Sequence, residues 1–215
     1  MNVKTIEPKI LYFGTPVAIV STLNEDGSTN LSPISSFWTL GWTMTLGILN
    51  DAKMAENLKR TRDCVINLPS PSMWEIVEKL APLTDKSPVP PEKADQFHFQ
   101  KDKFEAAGLT RLESELVLPS RVRECPIQME ATVLAMHELG GRKVSELGGG
   151  LAAVVEVLRV HADEELVVGG SDHVDPGKVL QTSSSVRPSG RSLWRPRKQK
   201  ASTAKRACSC ECQDR

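Results

Sequence analysis

The segment Pro16–Trp38 constrains the fold more than any other. Its first part, Pro16–Leu23 (PVAIVSTL), is short and rich in β-branched residues, which suits a half-buried pleated strand. Asn24-Glu25-Asp26-Gly27 follows, and the Asp-Gly pair supplies the tolerance for positive φ that a tight turn needs. Thr29–Trp38 reads as the returning strand, interrupted by Pro33. A hairpin this early commits the chain to antiparallel pairing. Trp42–Leu49 (WTMTLGIL) alternates in polarity and extends the hairpin into a meander.

Further along, Ala52–Thr61 is expected to be a helix with Asp51 as its N-cap, and Met54 and Leu58 share one face. Cys64–Leu68 reads as a strand that Pro69 ends. Ser72 is expected to cap a helix running to Leu80, with Glu75 completing a capping box. Leu83–Pro91 is proline-rich and reads as a loop, and Lys101–Ala107 as a short helix that Gly108 stops. Ile127–Leu139 is compatible with a helix or a strand, and the alternation of Ile127, Met129, Ala131 and Val133 favours a long strand; Leu151–Ala162 reads as a strand and Val167-Val168 as a short one. Six or seven strands, three helices and closely spaced turns point to a mainly β protein: a small β-barrel with short helices at its ends.

Charge divides the chain. Residues 179–215 carry nine Lys/Arg against two Asp/Glu, while the rest holds 18 basic and 25 acidic residues. The body is therefore acidic, which argues against nucleic acid as its main partner. The tail has few apolar residues and is expected to be disordered and basic. A basic run of that kind can serve nucleic-acid binding or targeting, and Cys208-Ser209-Cys210-Glu211-Cys212 can bind a soft metal, although it lacks a fourth ligand at structural-zinc spacing. Cys64 and Cys125 lie far apart and read as small core residues in a reducing compartment. No apolar run is long enough to span a bilayer, and Met1–Pro8 has no secretory h-region. The expected location is the cytoplasm.

The chemistry-bearing stretch is Thr29–Phe37 (TNLSPISSF), where small hydroxyl residues follow a strand. Such a turn at a barrel edge offers hydroxyls and backbone N–H groups to a flat heteroaromatic ligand or a phosphate, although it is also an ordinary loop composition. Lys53 and Asn57 sit four apart at the start of a helix, where the macrodipole favours an anion. His98, His137 and His161 lack ligand spacing and read as surface or strand residues. Gly148-Gly149-Gly150 precedes a strand rather than opening a helix, so it is not a dinucleotide fingerprint.

Gly14-Thr15-Pro16-Val17, STLNEDGSTNLSPISSFW, the AENLKRT…CVINLPS segment, KDKFEAAGL, SELVLPSRVRECPIQMEA and His173-Val174-Asp175-Pro176 together resemble the flavin reductase-like family, over about residues 5–178. The resemblance implies an FMN-binding split β-barrel and a homodimer that holds FMN near the subunit interface. It implies NAD(P)H as co-substrate, with small-molecule flavin and nicotinamide as partners and with electron transfer from NAD(P)H to flavin. A non-enzymatic flavin-binding or electron-carrier protein, or a decayed member with impaired FMN binding, is the alternative. Asn30, Ser32, Pro33, Ser35, Ser36 and Phe37 match the stretch that lines the isoalloxazine ring and ribityl chain. Lys53 and Asn57 match the phosphate segment, and His173 matches a pocket position. No side chain is assigned as catalytic, and no metal is expected. Two departures stand out. Met54 occupies a position where relatives carry Thr or Ser, and after Lys178 the chain lacks the aromatic stretch that usually closes the barrel.

Overall fold

The computed structural model of the 215-residue chain describes residues 3–5, 11, 15–89, 91 and 94–179. The expectations for the basic tail and its cysteines lie outside the described residues. The elements are β1 (Ala18–Leu23), β2 (Thr29–Ile34), β3 (Phe37–Leu40), β4 (Thr43–Leu49), α1 (Lys53–Thr61), β5 (Asp63–Leu68), α2 (Trp74–Leu80), β6 (Leu83–Thr84) and β7 (His98–Phe99). They continue as α3 (Lys103–Ala107), β8 (Arg111–Leu112), β9 (Arg121–Val122), β10 (Ile127–Leu139), α4 (Arg142–Ser145) and β11 (Gly150–Ala162).

Seven strands form one antiparallel sheet in the order β2-β1-β5-β10-β11-β4-β3. The two edge strands, β2 and β3, are neighbours in sequence, separated only by Ser35 and Ser36. A flat seven-stranded sheet would hold its edges about 29 Å apart, whereas two linking residues reach about 10 Å. The sheet must therefore curl until its edges meet, and the junction is where they do. Gly47 of β4 holds that junction. Its N–H donates to the Ser36 carbonyl at 2.6 Å, and the Ser36 hydroxyl donates to the Gly47 carbonyl at 2.6 Å. A Cβ on Gly47 would meet the Ser36 Cβ at 3.0 Å, so glycine permits the approach.

Strand alternation divides the apolar residues between two cores. Ala18, Val20, Met44, Leu46, Ile48, Ile66, Ala131, Val133, Ala153 and Val155 face the barrel interior. Met54, Ala55 and Leu58 of α1 join them, so this helix plugs the barrel. Val17, Ile19 and Leu31 point the other way and pack against Met73, Val77, Leu80 and Phe104. Helices α2 and α3 thus cover the outer wall of β1 and β2 rather than the barrel's ends, because β1 alternates apolar residues on both faces. The outer face of β3, β4 and β11 instead presents half-buried Thr43, Thr45, Ala152 and Val154 beside exposed Trp38, Leu40 and Trp42.

Several local expectations need correction. Thr29–Trp38 is two strands, broken at Ser35-Ser36 where the chain passes between sheet edges. Ala52, not Asp51, is the N-cap of α1, with no side-chain cap. A 3₁₀ turn over Pro71–Met73 precedes α2, and the Ser72 hydroxyl pairs with Ser70 instead of capping. The expected strand at Val167-Val168 is one bridge between Val167 and Val174. The loop after α2 contains β6, which pairs with β7. Gly27 and Gly108 adopt positive φ of 81° and 70°, as their turn and C-cap positions require.

Candidate functional site

The β1–β2 hairpin, α1 and α3 meet around a closed polar cluster. Thr22 and Asn30 are opposite one another in the β1–β2 register, and both face inward with α1. The Asn57 amide donates to Thr22 Oγ1 at 3.1 Å and to Asn24 Oδ1 at 2.8 Å. The Asn30 amide donates to the same hydroxyl at 3.3 Å and to Ser32 Oγ at 3.1 Å. Lys103 closes the cluster from α3, donating to Asn30 Oδ1 at 2.7 Å and to the Leu31 carbonyl at 2.9 Å. That second bond satisfies a carbonyl on an edge strand, which would otherwise lack a ladder partner. On the far side, Asn24 donates to the Asp85 carboxylate. Thr22, Asn30 and Asn57 are fully buried, and Lys103 is 2% exposed.

Burial sets the electrostatics here. It pulls the Lys103 ammonium down to about 8, against the attraction of Asp85. It pushes the Asp85 carboxyl up, while the bond from Asn24 and the charges of Lys103 and Lys53 oppose it. Asn57 Oδ1 is a buried acceptor with no donor among the described residues.

A second charge group borders the cluster at the start of α1. Lys53 Nζ lies 2.8 Å from Glu25 and 3.5 Å from Glu56, and Lys86 Nζ lies 2.7 Å from Glu56. Burial lowers the Lys53 ammonium, but Glu25 and Glu56 outweigh it and leave the group above its ordinary value. The N–H groups of Lys53 and Met54 open the helix with no acceptor among the described residues, as the first turn of a helix requires. Met54 itself is buried in the barrel core.

The structure therefore brings Asn30, Ser32 and Asn57 into one hydrogen-bonded group, with Lys53 beside it. Ser35, Ser36 and Phe37 lie at the other end of β2, about 16 Å along the strand from Asn30. Pro33 is half-buried opposite Ile19, and Phe37 packs on the interior core. His173 is exposed in the loop after β11, where its N–H donates to Ser171 at 3.2 Å and its carbonyl accepts from Val168. Among the described residues, no hydrogen bond joins His173 to another of these side chains. Sequence reasoning missed Thr22, Asn24, Lys86, Asp85 and Lys103. The alternate polar positions 22, 24, 30 and 32 on an otherwise apolar hairpin were the available signal for the first two.

The model of the flavin reductase like domain matches residues 10–171. The chain belongs to the flavin reductase-like family. An uncharacterized protein of Bacillus subtilis, YdfE, is 43% identical over 177 residues, covering 81% of this flavin reductase-like chain and 82% of its own length. Solved structures share the fold. Nitrilotriacetate monooxygenase component B from Bacillus cereus superposes with a TM-score of 0.61 at 21% identity, over 79% of this chain and 86% of that one. Flavoredoxin from Methanosarcina acetivorans superposes with a TM-score of 0.60 at 16% identity, over 95% of this chain and 98% of that one. No described helix is long and apolar enough to cross a membrane.

Proposed function

We propose that the chain is an FMN-dependent oxidoreductase that takes electrons from NAD(P)H and works as a homodimer in the cytoplasm. One observation carries the reading: a track of polar residues, Asn30, Ser32, Ser35 and Ser36, broken by Ile34, extends along β2 from beside α1 to the sheet junction. Its length of about 16 Å matches a ring, a ribityl chain and a phosphate laid end to end.

The donor set fits such a ligand. Lys53 and the open N–H groups of α1 suit the phosphate end, where an anion meets the positive end of the helix dipole. Ser32 supplies a hydroxyl midway. At the junction, Ser35 offers its hydroxyl and N–H, whereas the Ser36 hydroxyl is spent on Gly47 and leaves only the backbone N–H. Donors there would meet the ring edge that gains negative charge on reduction. Bound FMN would supply the two-electron chemistry, with hydride arriving from the nicotinamide. Asn30 and Asn57, being fully buried, support the site by holding its polar framework rather than by touching solvent-side ligand atoms.

The homodimer is supported by the outer face of β3, β4 and β11. Trp38, Leu40 and Trp42 are 59%, 74% and 62% exposed there, beside small half-buried residues that let another flat surface approach. Two free buried cysteines, Cys64 and Cys125, support a reducing compartment.

The test begins with the visible absorption spectrum of the purified protein and mass spectrometry of any released ligand. A flavin spectrum, released FMN and bleaching by NADH or NADPH are expected. A bound flavin that neither nucleotide reduces would instead identify an electron carrier. Colourless protein that fails to take up added FMN would refute the reading and identify a decayed member.

A further inference from the structure

We infer that Lys103 is a positioning residue for the flavin site, acting through Asn30 to set the Ser32 hydroxyl as a hydrogen-bond donor. The inference rests on the flavin site proposed above and adds a residue to it. Two bonds carry it, both running in one direction. The Lys103 ammonium donates to Asn30 Oδ1 at 2.7 Å. The Asn30 amide nitrogen then donates to Ser32 Oγ at 3.1 Å. Ser32 Oγ is thus an acceptor toward the interior, so its own proton is turned away from Asn30. That proton has no acceptor among the described residues.

The order of these atoms fixes the chemistry. A lysine ammonium has three donors and no acceptor, so Asn30 must present its oxygen to Lys103 and its nitrogen to Ser32. The amide orientation, normally ambiguous, follows from the charge. Each bond also polarises the next, and a chain that begins on a cation makes the terminal hydroxyl a stronger donor than a lone serine. Ser32 is half-buried and lies midway along the polar track, so it is the member of the chain that a ligand can reach. Thr22 holds the second Asn30 N–H contact at 3.3 Å and keeps the amide from swinging.

The groups that face Lys103 are few. Asn30 and the Leu31 carbonyl come from β2, and Asp85 acts on it from the segment after β6. Asp85 in turn is acted on by Asn24, Lys53 and Asp26. Lys103 lies just after Asp102, which caps α3 by accepting from the Glu105 N–H, so the helix start is held independently of the ammonium.

The experiment measures FMN affinity by fluorescence quenching in the full-length, flavin-free protein. Wild type is compared with Lys103→Met, Ser32→Ala and the double variant. Each single change is expected to weaken FMN binding about five- to tenfold, the effect of one hydrogen bond. The double variant should be no worse than Ser32→Ala alone. Losses that multiply, or a Lys103→Met protein that binds as tightly as wild type, overturn the inference and leave the flavin site standing. Wild type that binds no FMN overturns both.

A second measurement covers the case in which Lys103→Met does not fold. Wild type and Ser32→Ala are titrated with FMN between pH 7 and pH 9.5. Because burial brings Lys103 down to about 8, wild-type affinity should fall as the pH passes that value, since a neutral amine is a weaker donor. Ser32→Ala should show no such fall. A flat wild-type profile, or the same fall in Ser32→Ala, overturns the inference.

Discussion

Replacing Glu130 tests whether a buried carboxylate holds the segment between β8 and β9 against the barrel. Glu130 is fully buried on β10, on the face away from the interior core. Its carboxylate accepts from three consecutive backbone N–H groups, at 2.9 Å from Glu115, 2.6 Å from Leu116 and 3.2 Å from Val117. His161 Nε2 lies 2.7 Å away, and Arg121 Nε lies 3.9 Å away. Glu130→Ala removes every one of these contacts and strands the donors. Breaking one side of a buried charged cluster costs about 3–5 kcal/mol. Leu116 is half-exposed, so water rescues part of the loss, and the expected cost is about 3 kcal/mol. For a domain of this size that lowers Tm by about 6–12 °C. Glu130→Gln keeps one acceptor oxygen and should cost about 1–2 kcal/mol.

The pH dependence gives an independent check. Burial raises the Glu130 carboxyl, but the N–H groups of Glu115 and Leu116 and the His161 ring outweigh it and hold it below its ordinary value. A depressed carboxyl contributes stability that is complete above its unfolded-state value and is lost as the pH falls through the folded one. The gap between wild type and Glu130→Ala should therefore be constant near neutrality and shrink below about pH 4. Urea unfolding at several pH values measures it. A gap under 1 kcal/mol at neutral pH, or one that persists undiminished in acid, would refute the reasoning.

Three further outcomes are expected. Gly47→Ala forces a methyl against Ser36 and should cost about 1–3 kcal/mol, with thermal unfolding as the check. Lys53→Ala should weaken FMN several-fold and leave riboflavin unchanged, because only FMN carries the phosphate, and parallel titrations compare them. Leu40→Glu places a charge on the exposed β3–β4 hairpin face and should shift the protein from dimer to monomer in analytical ultracentrifugation while its circular dichroism stays unaltered.

Sequence pattern was most informative where local and global preferences agree. The alternation of Ile127, Met129, Ala131 and Val133 marked β10 as a strand, and β10 and β11 are long strands as read, although two bulges that the pattern did not show shift their register. The Asp-Gly turn and the Gly108 stop were equally legible, because glycine adopts positive φ at the least steric cost. The break at Ser35-Ser36 was not. Nothing local separates those serines from a continuous strand, and the break follows from pairing with Gly47, eleven residues away. Lys103 was hidden for a related reason. A lysine at the start of a short helix looks solvated, and its burial depends on an edge strand more than 70 residues earlier. Asn57 was singled out, but its complete burial was not, since neighbouring Lys53 and Glu56 suggest a surface helix. The capping expectations at Asp51 and Ser72 failed because 3₁₀ or irregular entry turns displaced the helix starts.

The arrangement of strands also bears on how the chain is made. The β1–β2 and β3–β4 hairpins are synthesised before the other strands of the sheet, yet they occupy opposite margins of the finished sheet. Of the strands that separate them, β5 follows within about fifteen residues, but β10 and β11 arrive about eighty residues later. Until then β5 and β4 carry unpaired edges and apolar faces, an aggregation hazard typical of high contact order. Cotranslational holding by a chaperone would therefore protect the first fifty residues most, and slowing translation after β4 would lower soluble yield more than slowing it after β11.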